Sequence, residues 1–184
     1  MDNFNKALEF LFSAEGGYSN RKNDAGGATN FGITQKTFNS AISRGIINTD
    51  ISNVKYINKD LASKIYKYDY WNSISADKLP AGIDVALFDM TVNAGRGNAI
   101  KTLQKTLEIK QDGIMGKDTI NAINSYDGDL VKDFNNNRRE YNNSIIENNQ
   151  KLREEDIQNK GYTNRIDQSE NKKEIGRASC RETV

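Results

Sequence analysis

Histidine is absent from this sequence of 184 residues. A Ser-His-Asp triad and a Cys-His nucleophile pair both need an imidazole, and so do the common catalytic zinc sites. The sequence therefore excludes hydrolases of those classes, including the zinc amidases and the cysteine-histidine amidases. Chemistry carried out by carboxyl groups remains open, because a paired acid and base need only aspartate or glutamate.

Cysteine, proline and tryptophan each occur once. Cys180 has no partner within the chain, so we expect packing rather than a disulfide to hold the fold. No apolar run is long enough to span a bilayer. The net charge of +1 provides no strong field toward nucleic acid or an acidic membrane. We therefore expect a monomer that has no nucleic-acid partner and no stable membrane insertion.

Apolar residues at helical spacing predict a mainly α-helical protein. A turn-rich or hairpin segment is expected after the first helix. Thr34 and Asn58 are expected N-caps, and Pro80 is expected in the first turn of its helix. The predicted helices span about 3–14, 34–43, 58–70, 81–93, 98–107, 119–124 and 127–152.

The predicted helix over 81–93 is apolar on nearly all sides, which is typical of a buried helix. Asp84 and Asp89 lie on it, and a buried carboxylate must be hydrogen-bonded or paired. For both we favour a structural network over a direct catalytic role. Arg138 and Arg139 are expected on a solvent-exposed face, with contacts to phosphate or carboxylate as the alternative.

The stretch Glu15–Thr34 combines glycine-rich turns with ordered polar residues. Glu15 follows a helical apolar run, where the partial negative charge of a helix C-terminus favours the neutral acid. Glu15 is therefore a candidate proton donor. Asp24 follows at a distance of nine residues, and Thr29 lies five residues beyond it. Two carboxyls in such a segment are typical of glycoside hydrolysis, which needs one protonated acid and one ionised group across the sugar.

This stretch resembles the signature of glycoside hydrolase family 108, whose members are N-acetylmuramidases with a Glu-Gly-Gly-Tyr motif near the N-terminus. The family's essential glutamate falls on Glu15. The Glu-to-Asp spacing is also similar to that of phage-type lysozymes, although Thr29 stands one position earlier than their threonine. Arg21 and Lys22 replace the Asp-Pro pair of the family. The matching residues are Glu15-Gly16-Gly17-Tyr18, Asn20, Asp24, Gly26-Gly27, Thr29-Asn30 and Gly32-Ile33-Thr34.

The later part of the chain resembles the predicted peptidoglycan-binding module that accompanies this family. Its turn, Asp112 to Gly116, is interpreted as a helix-turn-helix corner. A calcium loop is disfavoured because too few acidic ligands follow at the required spacing. The resemblance implies an all-α, lysozyme-like single domain with a short hairpin segment. The expected parts are 1–79 (N-terminal glycosidase part), 80–170 (helical peptidoglycan-binding-like part) and 174–184 (a non-native tail, or alternatively a natural disordered one).

The resemblance implies hydrolysis of the β-1,4 bond between N-acetylmuramic acid and N-acetylglucosamine in peptidoglycan, without a metal or organic cofactor. Glu15 would protonate the leaving oxygen. Asp24 would stabilise the oxocarbenium-like centre, position a water or act as the nucleophile, and Thr29 would orient that water. The alternatives are a lytic transglycosylase, which needs one glutamate and no water, and a non-catalytic wall-binding or secretion-helper protein.

Three aromatic residues are candidates for substrate binding, because aromatic faces stack on sugar rings. They are Tyr18, Tyr70 and Trp71, and for Trp71 a role as core anchor is the preferred alternative. The N-terminus lacks a basic start and a small-residue cleavage site. We therefore expect synthesis in the cytoplasm and access to the cell wall through a holin or another export route.

Overall fold

The computed structural model describes residues 2–14, 18–19 and 28–148, and 68% of these residues are helical. The mainly helical class is confirmed, as is the hairpin after the first helix. The hairpin strands are β1 (Thr29–Asn30) and β2 (Ile33–Thr34). The helices are α1 (Asn3–Ala14), α2 (Gln35–Ser43), α3 (Lys59–Tyr66), α4 (Ile83–Ala94), α5 (Arg96–Thr106), α6 (Lys117–Asn124) and α7 (Leu130–Asn148).

The chain divides into two compact units, Met1–Ser73 and Ile74–Val184. The first unit contains α1 to α3 and the hairpin, and the second contains α4 to α7. The functional boundary expected at residues 79 and 80 stays a prediction, and the expected tail 174–184 lies outside the described residues. Within the described ranges, no helix is both long enough and apolar enough to cross a membrane.

The hairpin of the first unit turns through two residues that both have positive φ, Phe31 at 51° and Gly32 at 74°. Such a turn matches the twist of two antiparallel strands. The left-handed conformation is unusual for a bulky residue such as phenylalanine. Tertiary contacts stabilise it here, because the Tyr66 hydroxyl donates to the Phe31 carbonyl at 2.8 Å. The Phe31 ring also lies 5.3 Å from the ring of Phe12, centroid to centroid.

Both predicted N-caps are confirmed. The Thr34 hydroxyl accepts the N–H of Thr37 at 3.1 Å at the start of α2. The Asn58 side chain accepts the N–H of Leu61 at 2.9 Å at the start of α3. Each such cap contributes roughly 0.5–2 kcal/mol, because it satisfies an amide that the helix leaves unpaired.

Several helix boundaries differ from the prediction, including the end of α3 and the start of α4. The helix expected to run from Asn58 to residue 70 changes after Tyr66 into a π-helical segment, Lys67–Trp71. The helix expected over 81–93, with Pro80 in its first turn, begins at Ile83 instead. Gly82 precedes it with a φ of 98°, a conformation outside the helical region, so the proline stands before the helix rather than in it.

The second unit contains the buried helix that the sequence predicted, α4, with eight of its twelve residues buried. Its two carboxylates have structural partners, as expected. Asp84 accepts the N–H groups of Gly82 and Val85 at 2.7 and 2.8 Å. Asp89 forms an ion pair with Arg138 of α7, and both side chains are at most 2% exposed. The predicted solvent-exposed position of Arg138 is therefore wrong, and the alternative contact with a carboxylate is the one observed, because the buried Asp89 requires a counter-charge.

The turn between α5 and α6 is organised by the buried amide of Gln104, which is 1% exposed. Its nitrogen donates to Asp112 Oδ1 at 2.8 Å and to the Ile114 carbonyl at 3.1 Å. Its oxygen accepts the N–H of Gly113 at 2.8 Å. The hydrogen bond from Gln104 lowers the pKa of Asp112. The turn therefore joins two helices through protein contacts, in agreement with the predicted helix-turn-helix corner.

Substitution of Arg138 tests the importance of the buried ion pair. Arg138→Ala leaves the Asp89 carboxylate buried without its guanidinium, so we expect the free energy of unfolding to fall by about 3–5 kcal/mol. Urea denaturation followed by circular dichroism measures this quantity.

The neighbouring change Arg139→Ala is the control, and we expect it to cost about 1 kcal/mol or less. The double variant Asp89→Leu/Arg138→Met should regain most of the loss, because no unpaired charge stays buried. A cost below about 1 kcal/mol for Arg138→Ala would contradict the structural role of the pair.

Candidate active site

The two candidate carboxyl residues, Glu15 and Asp24, lie outside the described residues. The structure describes the chain on either side of them. Glu15 directly follows Ala14, the last residue of α1. Asp24 falls between Ser19 and Thr29, which form an isolated antiparallel bridge. The assignment of both carboxyls stays a prediction. We call the described elements on either side of them the frame, which consists of the end of α1, the Ser19–Thr29 bridge and the hairpin.

The bridge between Ser19 and Thr29 pairs the two ends of the segment 20–28. The Ser19 N–H donates to the Thr29 carbonyl at 2.9 Å, and the Thr29 N–H donates to the Ser19 carbonyl at 2.8 Å. Thr29 is also paired with Thr34 in the hairpin. The predicted water-orienting threonine is thus half-buried in a paired strand. Its backbone is held on both sides, which suits a residue that must present a hydroxyl at a defined place.

An aromatic cluster connects the last turn of α1 to the hairpin and to α3. We call it the Phe12 cluster, and it consists of Phe12, Phe31 and Tyr66. The ring centroid of Phe12 lies 5.3 Å from that of Phe31 and 6.0 Å from that of Tyr66. Each such pair contributes about 0.5–1.5 kcal/mol beyond its buried area. The cluster therefore holds the residues just before Glu15 against the strand that carries Thr29.

The predicted aromatic binding residues Tyr70 and Trp71 lie at the end of the π-helical segment, a type of irregularity that is frequent at functional sites. Trp71 is 1% exposed and packs edge-on against Phe4, with ring centroids 5.4 Å apart. This burial favours the core-anchor interpretation, and direct contact with substrate stays a prediction.

Tyr70 is half-buried, and its ring centroid lies 5.3 Å from that of Tyr66. Burial raises the pKa of the Tyr70 phenol, and the neighbouring carboxylate of Asp69 acts in the same direction. The phenol therefore keeps its proton at neutral pH and is able to donate a hydrogen bond. Arg44 neutralises Asp69 through two hydrogen bonds of 2.8 and 2.6 Å.

The third predicted binding residue, Tyr18, is 41% exposed and lies beside a lysine that the sequence did not indicate. Lys55 Nζ lies 5.5 Å from the centroid of the Tyr18 ring and 5.6 Å from that of Tyr56. Both distances are typical of cation–π contacts. Lys55 and Tyr56 belong to a polar connection without periodicity, so no local signal identified them.

The second unit contains an open groove between α5 and α7, lined by residues with polar side chains, with a volume of about 450 Å³. Its lining includes an ion pair, since Lys105 Nζ lies 2.8 Å from Glu140 Oε2. Half-buried Tyr141 and exposed Lys101 contribute an aromatic ring and a second cation. Amides from Asn98 and Asn137 complete a lining with both hydrogen-bond donors and acceptors. Such a lining is chemically suited to a sugar chain. Among the described residues, no group of three acidic or cysteine side chains could hold a metal ion.

Comparison with known proteins identifies two family matches along the chain, and the first of them extends from the first unit into the second. Residues 8–95 match the family described as Glycosyl hydrolase 108, and residues 98–171 match the family described as Predicted Peptidoglycan domain. The chain is also similar to the solved structure of Brucella abortus SagA, with 32% identity, a TM-score of 0.74 and coverage of 92% of each chain. No curated protein matches. The glycosidase match covers the residues around Glu15, and the peptidoglycan match follows it. This chain is therefore a member of glycosyl hydrolase family 108 and a glycoside hydrolase.

Proposed function

We propose that this protein is an N-acetylmuramidase that cleaves the β-1,4 bond between N-acetylmuramic acid and N-acetylglucosamine in peptidoglycan. The observation that carries the proposal is the Glu15-Gly16-Gly17-Tyr18 motif directly after α1, in a chain of a glycosidase family. The peptidoglycan domain that follows supports the cell wall as the substrate. The absence of histidine leaves carboxyl groups as the acid and base of the reaction.

In this mechanism Glu15 donates its proton to the glycosidic oxygen as the bond to the anomeric carbon breaks. Positive charge then develops on the anomeric carbon and the ring oxygen. The Asp24 carboxylate stabilises that charge, and it attacks the carbon itself or positions the attacking water. The Thr29 hydroxyl orients this water. A separation of about 5–5.5 Å between the carboxyl groups would give retention, and about 6.5–9.5 Å would give inversion.

The described frame supports these roles because it brings the flanks of the two carboxyl residues together. Phe12 precedes Glu15 by three residues and contacts Phe31 of the hairpin turn. Asp24 stands midway between Ser19 and Thr29, whose backbones are hydrogen-bonded. The site of action would be the cell wall, reached through a holin or another export route.

Digestion of purified peptidoglycan by the wild type and by Glu15→Gln tests the chemistry. We expect the wild type to release fragments with reducing N-acetylmuramic acid ends, identified by mass spectrometry. Glu15→Gln should lose at least about 100-fold in rate, because general acid catalysis contributes 100- to 10,000-fold. Glu9→Gln is the matched control, since Glu9 is an exposed residue of the same helix and should retain full activity.

Other products would assign another reaction. Fragments ending in 1,6-anhydro-N-acetylmuramic acid would identify a lytic transglycosylase, and reducing N-acetylglucosamine ends would identify cleavage of the other glycosidic bond. If wild-type protein binds the wall and releases nothing, the muramidase proposal fails and a wall-binding role replaces it. Full activity of Glu15→Gln would remove Glu15 from the mechanism.

We also propose that the groove between α5 and α7 holds a glycan strand. A test in the inactive Glu15→Gln background separates binding from hydrolysis. We expect Tyr141→Ala to weaken sedimentation with purified wall about 10-fold, equivalent to about 1.4 kcal/mol, because it removes an aromatic ring that packs against a sugar. Ile145→Ala is the control, because Ile145 is an exposed residue about one turn further along α7 and does not line the groove. Equal binding by both variants would exclude the groove as a wall-binding surface.

A further inference from the structure

Three exposed side chains of the first unit form a patch, and one of them, Tyr18, is adjacent to Ser19. We call it the Lys55 patch, and it consists of Tyr18, Lys55 and Tyr56. The ammonium of Lys55 lies 5.5 Å from one ring centroid and 5.6 Å from the other. Tyr18 is 41% exposed and Tyr56 is 66% exposed, so both rings remain open to a ligand. Tyr18 also stands next to Ser19, whose bridge to Thr29 closes the segment that contains Asp24.

The turn that presents Lys55 and Tyr56 is tied to strand β1 by a buried asparagine. Asn30 is 7% exposed, and its Nδ2 donates to the carbonyls of Val54 and Lys55 at 3.2 and 2.9 Å. Val54 is fully buried, and Ile57 is 4% exposed. The backbone of this turn is therefore fixed at both ends and in the middle. Its exposed side chains project from a preorganised support, which reduces the entropy lost when a ligand binds.

A second set of hydrogen bonds holds the same turn from the other side. The Val54 N–H donates to Gln35 Oε1 at 2.8 Å, and the Lys55 N–H donates to Asn53 Oδ1 at 2.9 Å. Gln35 belongs to α2 and also donates to the Ser52 carbonyl at 2.9 Å. The turn is thus connected to a helix as well as to the hairpin, and all of these contacts lie within the first unit.

The charge of Lys55 has no carboxylate partner among the described residues, whose ion pairs involve other cations. Its two ring contacts leave the ammonium protons available, because a lysine ammonium carries three donors. A ligand that suits this arrangement has a ring with an apolar face for the tyrosines and an anionic group for the ammonium. A peptidoglycan strand provides both, since its sugar rings carry peptide stems with free carboxylates.

We propose that the Lys55 patch is a substrate subsite that binds a sugar ring on Tyr18 and Tyr56 and a stem-peptide carboxylate on Lys55. The subsite would make the enzyme prefer wall whose stems are free acids over wall whose stems are amidated. Asn30 acts as a positioning residue, because it holds the turn and does not reach the solvent. This inference rests on the proposed function, in that the ligand is a peptidoglycan strand.

The test compares untreated peptidoglycan with peptidoglycan whose carboxylates have been converted to amides by carbodiimide and ammonia. We expect kcat/KM of the wild type to fall about 10-fold on amidated wall, the effect of losing one charge-assisted hydrogen bond. Lys55→Gln should show the same fall on untreated wall, mainly through KM, and no further fall on amidated wall. Lys55→Arg should retain the preference, whereas Lys64→Gln, an exposed lysine of α3, should behave as the wild type. Equal activity of Lys55→Gln and wild type on untreated wall would overturn the proposal.

Binding by the inactive Glu15→Gln protein separates failure of this inference from failure of the proposed function. Sedimentation with both walls should show the same preference for free carboxylates, and Lys55→Gln should abolish it. If wild type shows no hydrolysis but the binding preference remains, only the catalytic proposal fails. If hydrolysis depends on Glu15 but neither the rate of hydrolysis nor sedimentation differs between untreated and amidated wall, only the subsite proposal fails.

The aromatic part of the subsite has its own matched pair of variants. Tyr56→Ala should weaken binding to both walls about 10-fold, equivalent to about 1.4 kcal/mol, because it removes a ring that packs against the sugar. Tyr68→Ala is the control, since Tyr68 is 58% exposed, belongs to the same unit and is not part of the patch. Equal effects of the two substitutions would show that Tyr56 has no specific role.

Discussion

The Phe12 cluster is the contact on which the arrangement of α1, the hairpin and α3 in the first unit depends. The chain around the candidate carboxyls is rich in glycine and polar residues, and it offers few apolar side chains for packing. Phe12 and Phe31 flank this segment on its two sides, and Tyr66 contacts both through its ring or its hydroxyl. The same contacts stabilise Phe31 in a left-handed conformation that costs energy in isolation. One cluster therefore positions the end of α1 and shapes the hairpin that carries Thr29.

In the second unit, buried polar groups add specific contacts to an apolar core. Asp89 on α4 and Arg138 on α7 neutralise each other where water cannot reach them. Gln104 performs a comparable role for the turn before α6, because its amide satisfies several groups of that turn at once. Such contacts are costly to break from one side, since the remaining partner stays buried and unsatisfied. Direct contacts join α5 and α7 beside the groove, since Asn137 donates to Thr106 Oγ1 at 3.0 Å and Lys105 pairs with Glu140.

The predictions that succeeded depend on local chemistry. Thr34 and Asn58 cap helices through amides three residues away, and the apolar character of residues 83–91 is visible in the letters alone. Those that failed depend on residues distant in sequence. The sequence predicts a solvent-exposed Arg138 because its partner Asp89 lies 49 residues earlier, beyond the reach of any local pattern. The helix expected over 81–93 begins at Ile83 because Gly82 adopts a positive φ, which the sequence pattern does not predict. The sequence did not single out Lys55 and Tyr56, because what marks them is a set of contacts in the folded protein. Lys55 lies over the Tyr18 ring, and Asn30 holds the turn that carries both residues.

The sequence by itself determined the family, the helical class and the chemistry that is open to the protein. A motif of adjacent residues, Glu15-Gly16-Gly17-Tyr18, and the lack of histidine are both properties of the chain before it folds. Only the tertiary structure decided which side chains share a surface. It buried Trp71 and left Tyr18 exposed beside Lys55, and it paired Asp89 with Arg138. The physical reason is that covalent spacing and helical periodicity act over a few residues, whereas burial and charge pairing are settled between segments that meet only in the folded state.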